Sequence, residues 1–182
     1  VGEIRDEETA EISVHSALTG HLLLSSLHTN DAATAIPRLA DMKIEPFLIA
    51  AVLNAVMAQR LVRKICIECI ESFTPDAELQ ESIARQLKEA NSFSTMSIPK
   101  LFFRGRGCTS CGNTGYHGRL AIFEVIEMKE YLRKIIIQKD FSLDVLANEA
   151  KKNGMLTMFE DGLRKVEKGM TTMEEVVRVI RE

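Results

Sequence analysis

The sequence predicts an α/β protein that carries a four-cysteine module and ends in helices, and three observations point there. Short apolar runs alternate with helical patterns over the first third of its 182 residues, and alternation of strands with helices implies a parallel sheet. Two CxxC pairs, Cys66–Cys69 and Cys108–Cys111, mark the middle of the chain. From about residue 129 the pattern is helical to the end. The predicted division is residues 1–63 for the α/β part, 64–124 for the cysteine module and 125–182 for the helical tail.

The elements follow in order. VGEIRDEETAE begins mid-pattern and without Met; Val1–Ile4 reads as the tail of a buried strand, and the chain as a fragment of something longer. Asp6 is placed to cap a helix whose first turn holds Glu7 and Glu8, as the helix dipole favours. Ile12, Ala17 and Leu18 give that helix an apolar side, and Gly20 supplies a stop. The run His21–Leu27 reads as a buried strand. A helix over Asp31–Met42 follows, with Pro37 inside it and a kink expected there. A longer helix is expected from Glu45-Pro46 to about Arg63, Pro being favoured in a first turn.

In the module, PDAELQESIARQLKEA reads as a helix and NSFSTMSIPK as a loop. GCTSCGNTGYHG packs turn residues before a β-like run, Leu120–Ile126. The tail predicts helices over Tyr131–Ile137, Ser142–Lys152 and Met158–Lys168, and a last one opened by the capping box Thr172-x-x-Glu175.

Hydrophobic content of 46% and charged content of 27% are those of a globular protein. Lys and Arg number 23 against 26 Asp and Glu, a net charge of −3, so no nucleic-acid footprint is indicated. No run approaches the roughly 18 apolar residues of a membrane span, so direct membrane insertion is not expected, and no secretory leader is visible. Without one, four cysteines in two CxxC pairs favour a metal over disulfides.

Each CxxC sets two thiolates on one tight knuckle, and two knuckles complete a tetrahedral site, here Cys66, Cys69, Cys108 and Cys111. Four protein ligands make a closed, structural zinc site. Gly on both sides of the second pair suits a knuckle whose amides turn toward sulfur. The 38 residues between the pairs exceed ordinary ribbon spacing, so the helix between them reads as an insertion. His117 lies close enough in sequence to compete as a ligand. A zinc-ribbon nucleic-acid binder is a rival reading. Acidic balance and 5% aromatics oppose it, and the one basic cluster, Lys100, Arg104 and Arg106, reads as a solvated loop.

Glu3 stands at the end of one apolar strand and His28 at the end of the next. Open α/β sheets place ligands at that edge, so the two side chains could face one phosphate. A carboxylate there can orient or deprotonate an attacking water, and an imidazole N–H can sense a terminal phosphate. For His21 a structural role is an equal alternative.

These stretches carry a resemblance. VGEIRDEETAE, TGHLLLSSLHTND, EPFLIAAVLNAVMAQRLVRKIC, the two CxxC pairs, TGYHGRLAIFEV and the TTMEEVVRVIRE tail resemble the type II secretion and type IV pilus assembly ATPases, across the whole chain. The resemblance implies that residues 1–63 are the C-terminal part of a RecA-like, parallel-sheet P-loop ATPase domain. It implies a Walker B role for VGEIRD, with Glu3 as catalytic carboxylate. It places His28 nearest the γ-phosphate, with His21 and Arg5 as further nucleotide-binding residues. ATP and Mg²⁺ are then the cofactors of the full-length protein, and Zn²⁺ is structural. A cytoplasmic homo-hexamer acting on an inner-membrane platform protein, and peripherally associated with that membrane through it, is implied as well.

Three positions depart from the family pattern. CIEC lacks the frequent Pro after its first Cys, Ala121 stands where Gly is frequent, and so does Lys43. A left-handed Lys43 would carry a cost on the order of 1 kcal/mol. A phosphate-cradling GxxxxGK[ST] loop occurs nowhere in the 182 residues, so this chain alone is expected to hydrolyse little or no ATP. A zinc-stabilised structural or interaction module without ATPase activity is the remaining alternative.

Overall fold

A computed structural model of the chain describes residues 1–89 and 98–181. Its elements run α1 (Glu7–Leu18), α2 (Ala35–Asp41), α3 (Pro46–Val52), β1 (Ala55–Ile65), β2 (Ile70–Phe73), α4 (Ala77–Glu89), β3 (Phe102–Gly105), β4 (Tyr116–Glu127), α5 (Glu130–Ile136), α6 (Leu143–Lys152), α7 (Met158–Glu167) and α8 (Met173–Arg181). β1 pairs with β4, and β2 with β3. Two compact units result: residues 1–58 with 125–155, and residues 59–124 with 156–182. α5 and α6 thus belong to the first unit, and α7 and α8 to the second.

In the first unit, α1 begins as expected: Asp6 Oδ1 accepts the Thr9 N–H at 2.8 Å. Its buried side is not the expected one. Ile12 and Leu18 are 61% and 47% exposed, while Ala10, Ser13 and Val14, spaced one turn apart, face the core. The helix expected over Asp31–Met42 starts only at Ala35. Asp31 Oδ1 instead takes the Thr34 N–H at 2.8 Å, so the preceding residues turn. Pro37 therefore falls in the first turn, where its missing N–H breaks no helical bond, and no kink is needed.

α2 ends in a Schellman arrangement. Lys43 N–H donates to Ala40 O at 2.8 Å and Ile44 N–H to Leu39 O at 3.2 Å, with Leu39 and Ile44 both buried. This ending requires a left-handed residue, and Lys43 supplies it at φ 61°. Its ammonium lies 2.6 Å from Glu7 Oε2, an exposed pair that compensates little. Lys43→Gly is expected to raise the thermal midpoint of unfolding by relieving the backbone; an unchanged or lower midpoint would show the Glu7 contact to be the stronger influence.

The long helix expected from Glu45 to Arg63 is corrected most. α3 stops at Val52, and residues 55–65 form β1. Along it Val56, Ala58, Arg60 and Val62 turn inward while Met57, Gln59 and Leu61 turn out. The run AVMAQRLVRKI supports either period, and pairing with β4 decides it. The strand expected over His21–Leu27 is likewise not formed as a strand. Its backbone does run beside residues 1–4 in the same direction: Val1 N donates to Leu24 O at 3.3 Å and Ile4 N–H to Ser26 O at 2.9 Å. Leu22 and Leu24 are 86% and 77% exposed, so no layer covers the face from which they project. Among the described residues there is accordingly no parallel sheet, only the two two-stranded ones.

Ile36, Ile49, Ile126, Leu132, Ile136 and Leu146 centre the core of this unit. Arg133 fixes α5 to the end of α3 through Ala50 O and, at 3.4 Å, Asn54 Oδ1.

In the second unit, β2 and β3 are antiparallel, with Ile70 opposite Gly105 and Phe73 opposite Phe102. The cross-strand pair Glu71–Arg104 closes at 2.7 Å. α4 lies between them in sequence, as expected from PDAELQESIARQLKEA. Most of the expected loop NSFSTMSIPK, residues 91–97, lies outside the described residues. The run Leu120–Ile126 is a strand as expected and extends to all of β4. α7 opens on a capping box absent from the sequence reading: Thr157 N–H donates to Glu160 Oε2 at 2.7 Å, and Glu160 N–H to Thr157 Oγ1 at 3.3 Å. α7 and α8 pack closely at Gly162, where an added Cβ would lie 2.5 Å from Val176 Cγ1.

Candidate functional sites in the two units

The first site sits where residues 1–5 run beside residues 24–28. Extended backbone points alternate side chains to opposite faces. Ile4, 7% exposed, goes into the core, so Glu3 and Arg5 share the other face. Ser26 Oγ donates to Gly2 O at 3.0 Å, which fixes the neighbouring segment, and His28 stands two residues further on. Glu3 Oε2 then receives Arg5 Nε at 2.6 Å and His28 Nε2 at 3.1 Å. A carboxylate only accepts, so the His28 proton is on Nε2. Arg5 holds the Glu3 carboxyl below its ordinary range; desolvation opposes this, and His28 adds a lesser lowering.

Three of the four residues predicted for nucleotide chemistry thus come together. His21 does not join them: its Nδ1 lies 3.0 Å from Thr19 Oγ1. Thr19 gives its own proton to Ser16 O at 2.8 Å, so His21 Nδ1–H donates there, a local contact at the end of α1.

The second site is the cysteine cluster. The sulfurs of Cys66, Cys69, Cys108 and Cys111 all lie within 4.8 Å of one another. Cys66–Cys108 and Cys69–Cys111 are 3.9 Å apart, and Cys108–Cys111 are 3.7 Å apart. Four sulfurs each about 2.3 Å from one tetrahedral ion would be separated by about 3.8 Å. The donor set and its spacing therefore suit a soft, tetrahedral metal ion. His117 is not among the grouped ligands.

The β2–β3 ladder explains why the insertion between the pairs is tolerated. Its register returns the chain to its starting point, where Arg106 N–H donates to Cys69 O at 3.0 Å. The second knuckle turns its amides to sulfur, Cys108 N–H at 3.2 Å and Gly115 N–H at 3.3 Å from Cys111 Sγ. Burial alone would raise the Cys111 thiol, but these amides bring it down to about 6. Cys69 is pushed up to about 12, chiefly by burial. A cation at the centre of such a cluster would favour all four sulfurs as thiolates.

A third cluster escaped the sequence reading. Glu175, 2% exposed in its side chain, accepts Arg63 N–H at 2.9 Å and Arg63 Nη2 at 2.7 Å. It also accepts Arg178 Nε at 3.1 Å and Nη2 at 2.9 Å. The Arg63 guanidinium lies over the Tyr116 ring, 4.1 Å from its centroid, and Tyr116 Oη meets Thr172 Oγ1 at 2.9 Å. Thr171 Oγ1 donates to Arg63 O at 2.8 Å. The visible signal was Thr172-x-x-Glu175, read as a capping box. One half exists, Glu175 N–H to Thr172 Oγ1 at 3.4 Å; the carboxylate goes to the two arginines. No sequence rule pairs Glu175 with a residue 112 positions away.

No helix among the described residues is long and apolar enough to cross a membrane. A family model described as Type II/IV secretion system protein matches residues 1–178. The type IV pilus assembly ATPase PilB of Thermus thermophilus is 44% identical over 177 residues, covering 97% of this chain and 19% of that protein. The type II secretion system protein E of Pseudomonas aeruginosa is 43% identical over 182 residues, covering 100% of this chain and 34% of that one. The chain thus spans about a third or less of the length of these relatives. Among solved structures, the Legionella pneumophila ATPase DotB superposes with a TM-score of 0.64 at 18% identity, over 100% of this chain and 37% of that one. The pilus retraction motor PilT with bound ADP gives 0.61 at 21% identity, over 98% and 38%. The α/β fold is therefore that of the secretion ATPases, and the expected resemblance holds along the whole sequence: this chain belongs to the type II/IV secretion system protein family.

Proposed function

We propose that this chain is the hydrolytic and zinc-bearing part of a longer ATPase that drives type II protein secretion or type IV pilus assembly. The observation that carries the reading is the meeting of Glu3, Arg5 and His28 at one exposed edge, in a chain about 40% identical to such ATPases. ATP with Mg²⁺ would supply the phosphoryl group and the neutralising cation. Glu3 would orient the attacking water and take its proton; His28 Nε2–H and Arg5 would face the phosphate. His21 is proposed nearby, as a further nucleotide-facing side chain. None of the 182 residues forms a GxxxxGK[ST] cradle, so tight binding needs a loop from elsewhere in the full-length protein, and the isolated chain would be inactive.

Zn²⁺ on Cys66, Cys69, Cys108 and Cys111 would be structural, since four thiolates leave no position for a substrate. The working division follows: residues 1–63 face the nucleotide, 64–124 hold zinc, and 125–182 form the helical tail. The full-length protein would act as a cytoplasmic homo-hexamer and pass its motion to an inner-membrane platform protein, at the membrane through that partner.

The test is Glu3→Gln in the full-length protein, which keeps the shape and removes the base. Steady-state ATP hydrolysis should fall by about 100-fold or more, with nucleotide binding retained. Hydrolysis within about twofold of the unsubstituted protein would mean that Glu3 is not the base and would favour an interaction module.

A further inference from the structure

We propose that Arg5 is a positioning residue that restrains Glu3 and thereby sets a low basal rate of hydrolysis; this rests on the reading of Glu3 as the base. The juxtaposition is unusual for a base awaiting water. Glu3 Oε2 is engaged from one side by Arg5 Nε at 2.6 Å and from the other by His28 Nε2 at 3.1 Å. An oxygen that already accepts two N–H bonds, one from a permanent cation, is a weaker acceptor for a water proton. The backbone makes the contact hard to avoid: residues 3 and 5 project from one face of an extended segment, and Ile4 anchors the opposite face in the core.

Exposure separates this contact from a structural ion pair. Glu175 is 2% exposed and gripped by two arginines, a locked arrangement. Glu3 is 35% exposed and Arg5 68%. Such a pair, largely in water, contributes little to stability and forms and breaks readily. Its consequence is for the chemistry of Glu3, whose carboxyl it holds in the ionised, less basic form.

The experiment uses the nucleotide-free and the ATP-saturated full-length protein with Arg5→Gln, Arg5→Lys and Glu3→Gln. Carbodiimide labelling of Glu3, read by peptide mass without nucleotide, requires a protonated carboxyl. It should accelerate about three- to fivefold in Arg5→Gln and stay near the unsubstituted rate in Arg5→Lys, which keeps the cation. At saturating ATP, unstimulated kcat should rise by a similar factor in Arg5→Gln, and the rise should vanish in the Glu3→Gln background. Unchanged labelling, or a fall in kcat, overturns the restraint while leaving Glu3 as base intact. A Glu3→Gln protein that hydrolyses ATP normally defeats the underlying reading instead, whatever Arg5 does.

Discussion

Gly115→Ala is expected to dismantle the cysteine module. Gly115 has a left-handed backbone, φ 77°, and an added Cβ would lie 2.5 Å from Gly105 O, a backbone atom that cannot rotate away. A left-handed alanine costs about 1 kcal/mol, and forcing two backbones apart costs roughly 1–3 kcal/mol more. Those backbones are also the ties between the knuckles: Gly115 O accepts the Cys66 N–H at 3.0 Å, and Gly115 N–H donates to Cys111 Sγ at 3.3 Å. The unsubstituted protein should contain about one zinc per chain, and the variant substantially less, with a lower thermal midpoint. Gly105→Ala, which meets Gly115 O at 2.1 Å from its added Cβ, should behave alike. Full zinc content and an unchanged midpoint in both would show that the close approach is dispensable.

Glu175→Gln should destabilise the protein by about 3 kcal/mol at neutral pH, and the deficit should shrink in acid. Burial opposes ionisation of Glu175, but the hydrogen bonds from Arg178 and Arg63 outweigh it and hold its carboxyl at about 2, below the ordinary value of 4.5. A depressed carboxyl contributes stability that is fully present above the unfolded value and is lost as pH falls through the folded one. The drop from 4.5 to about 2 corresponds to about 3 kcal/mol. Urea unfolding of both proteins should therefore give curves that differ most above pH 5 and converge toward pH 2. A difference that stays constant across this range would mean that Glu175 acts through packing and not through its charge. The loss should fall on the second unit, where Glu175 binds α8 to the end of β1 and, through Arg63 and Tyr116, to the start of β4.

Local chemistry made several features legible. Asp6 capping α1, a turn forcing Lys43 left-handed, amides directed at the Cys111 sulfur and the ends of the tail helices are all set within five or six residues. So is the cysteine site, because CxxC brings two ligands together by itself and admits few other uses in such a chain. Helix faces were less legible: Ile12 looked like core, and the space was taken by Ala10 and Val14. At Pro37 the expected kink does not arise, because the Asp31 turn delays the helix until Ala35 and leaves the proline in its first turn.

The sequence by itself determined the family, the grouping of four cysteines and the pairing of an acid with a histidine, since each depends on residue type and short-range order. Only the tertiary structure decided that residues 55–65 are a strand, because β4 offers that segment a ladder worth more than its own helical period. It alone decided that Glu3 meets Arg5 and His28 on a single oxygen, and that Glu175 reaches back to Arg63. Both are contacts between groups that the chain carries together by folding, and their energies depend on distance and burial, which no local pattern encodes.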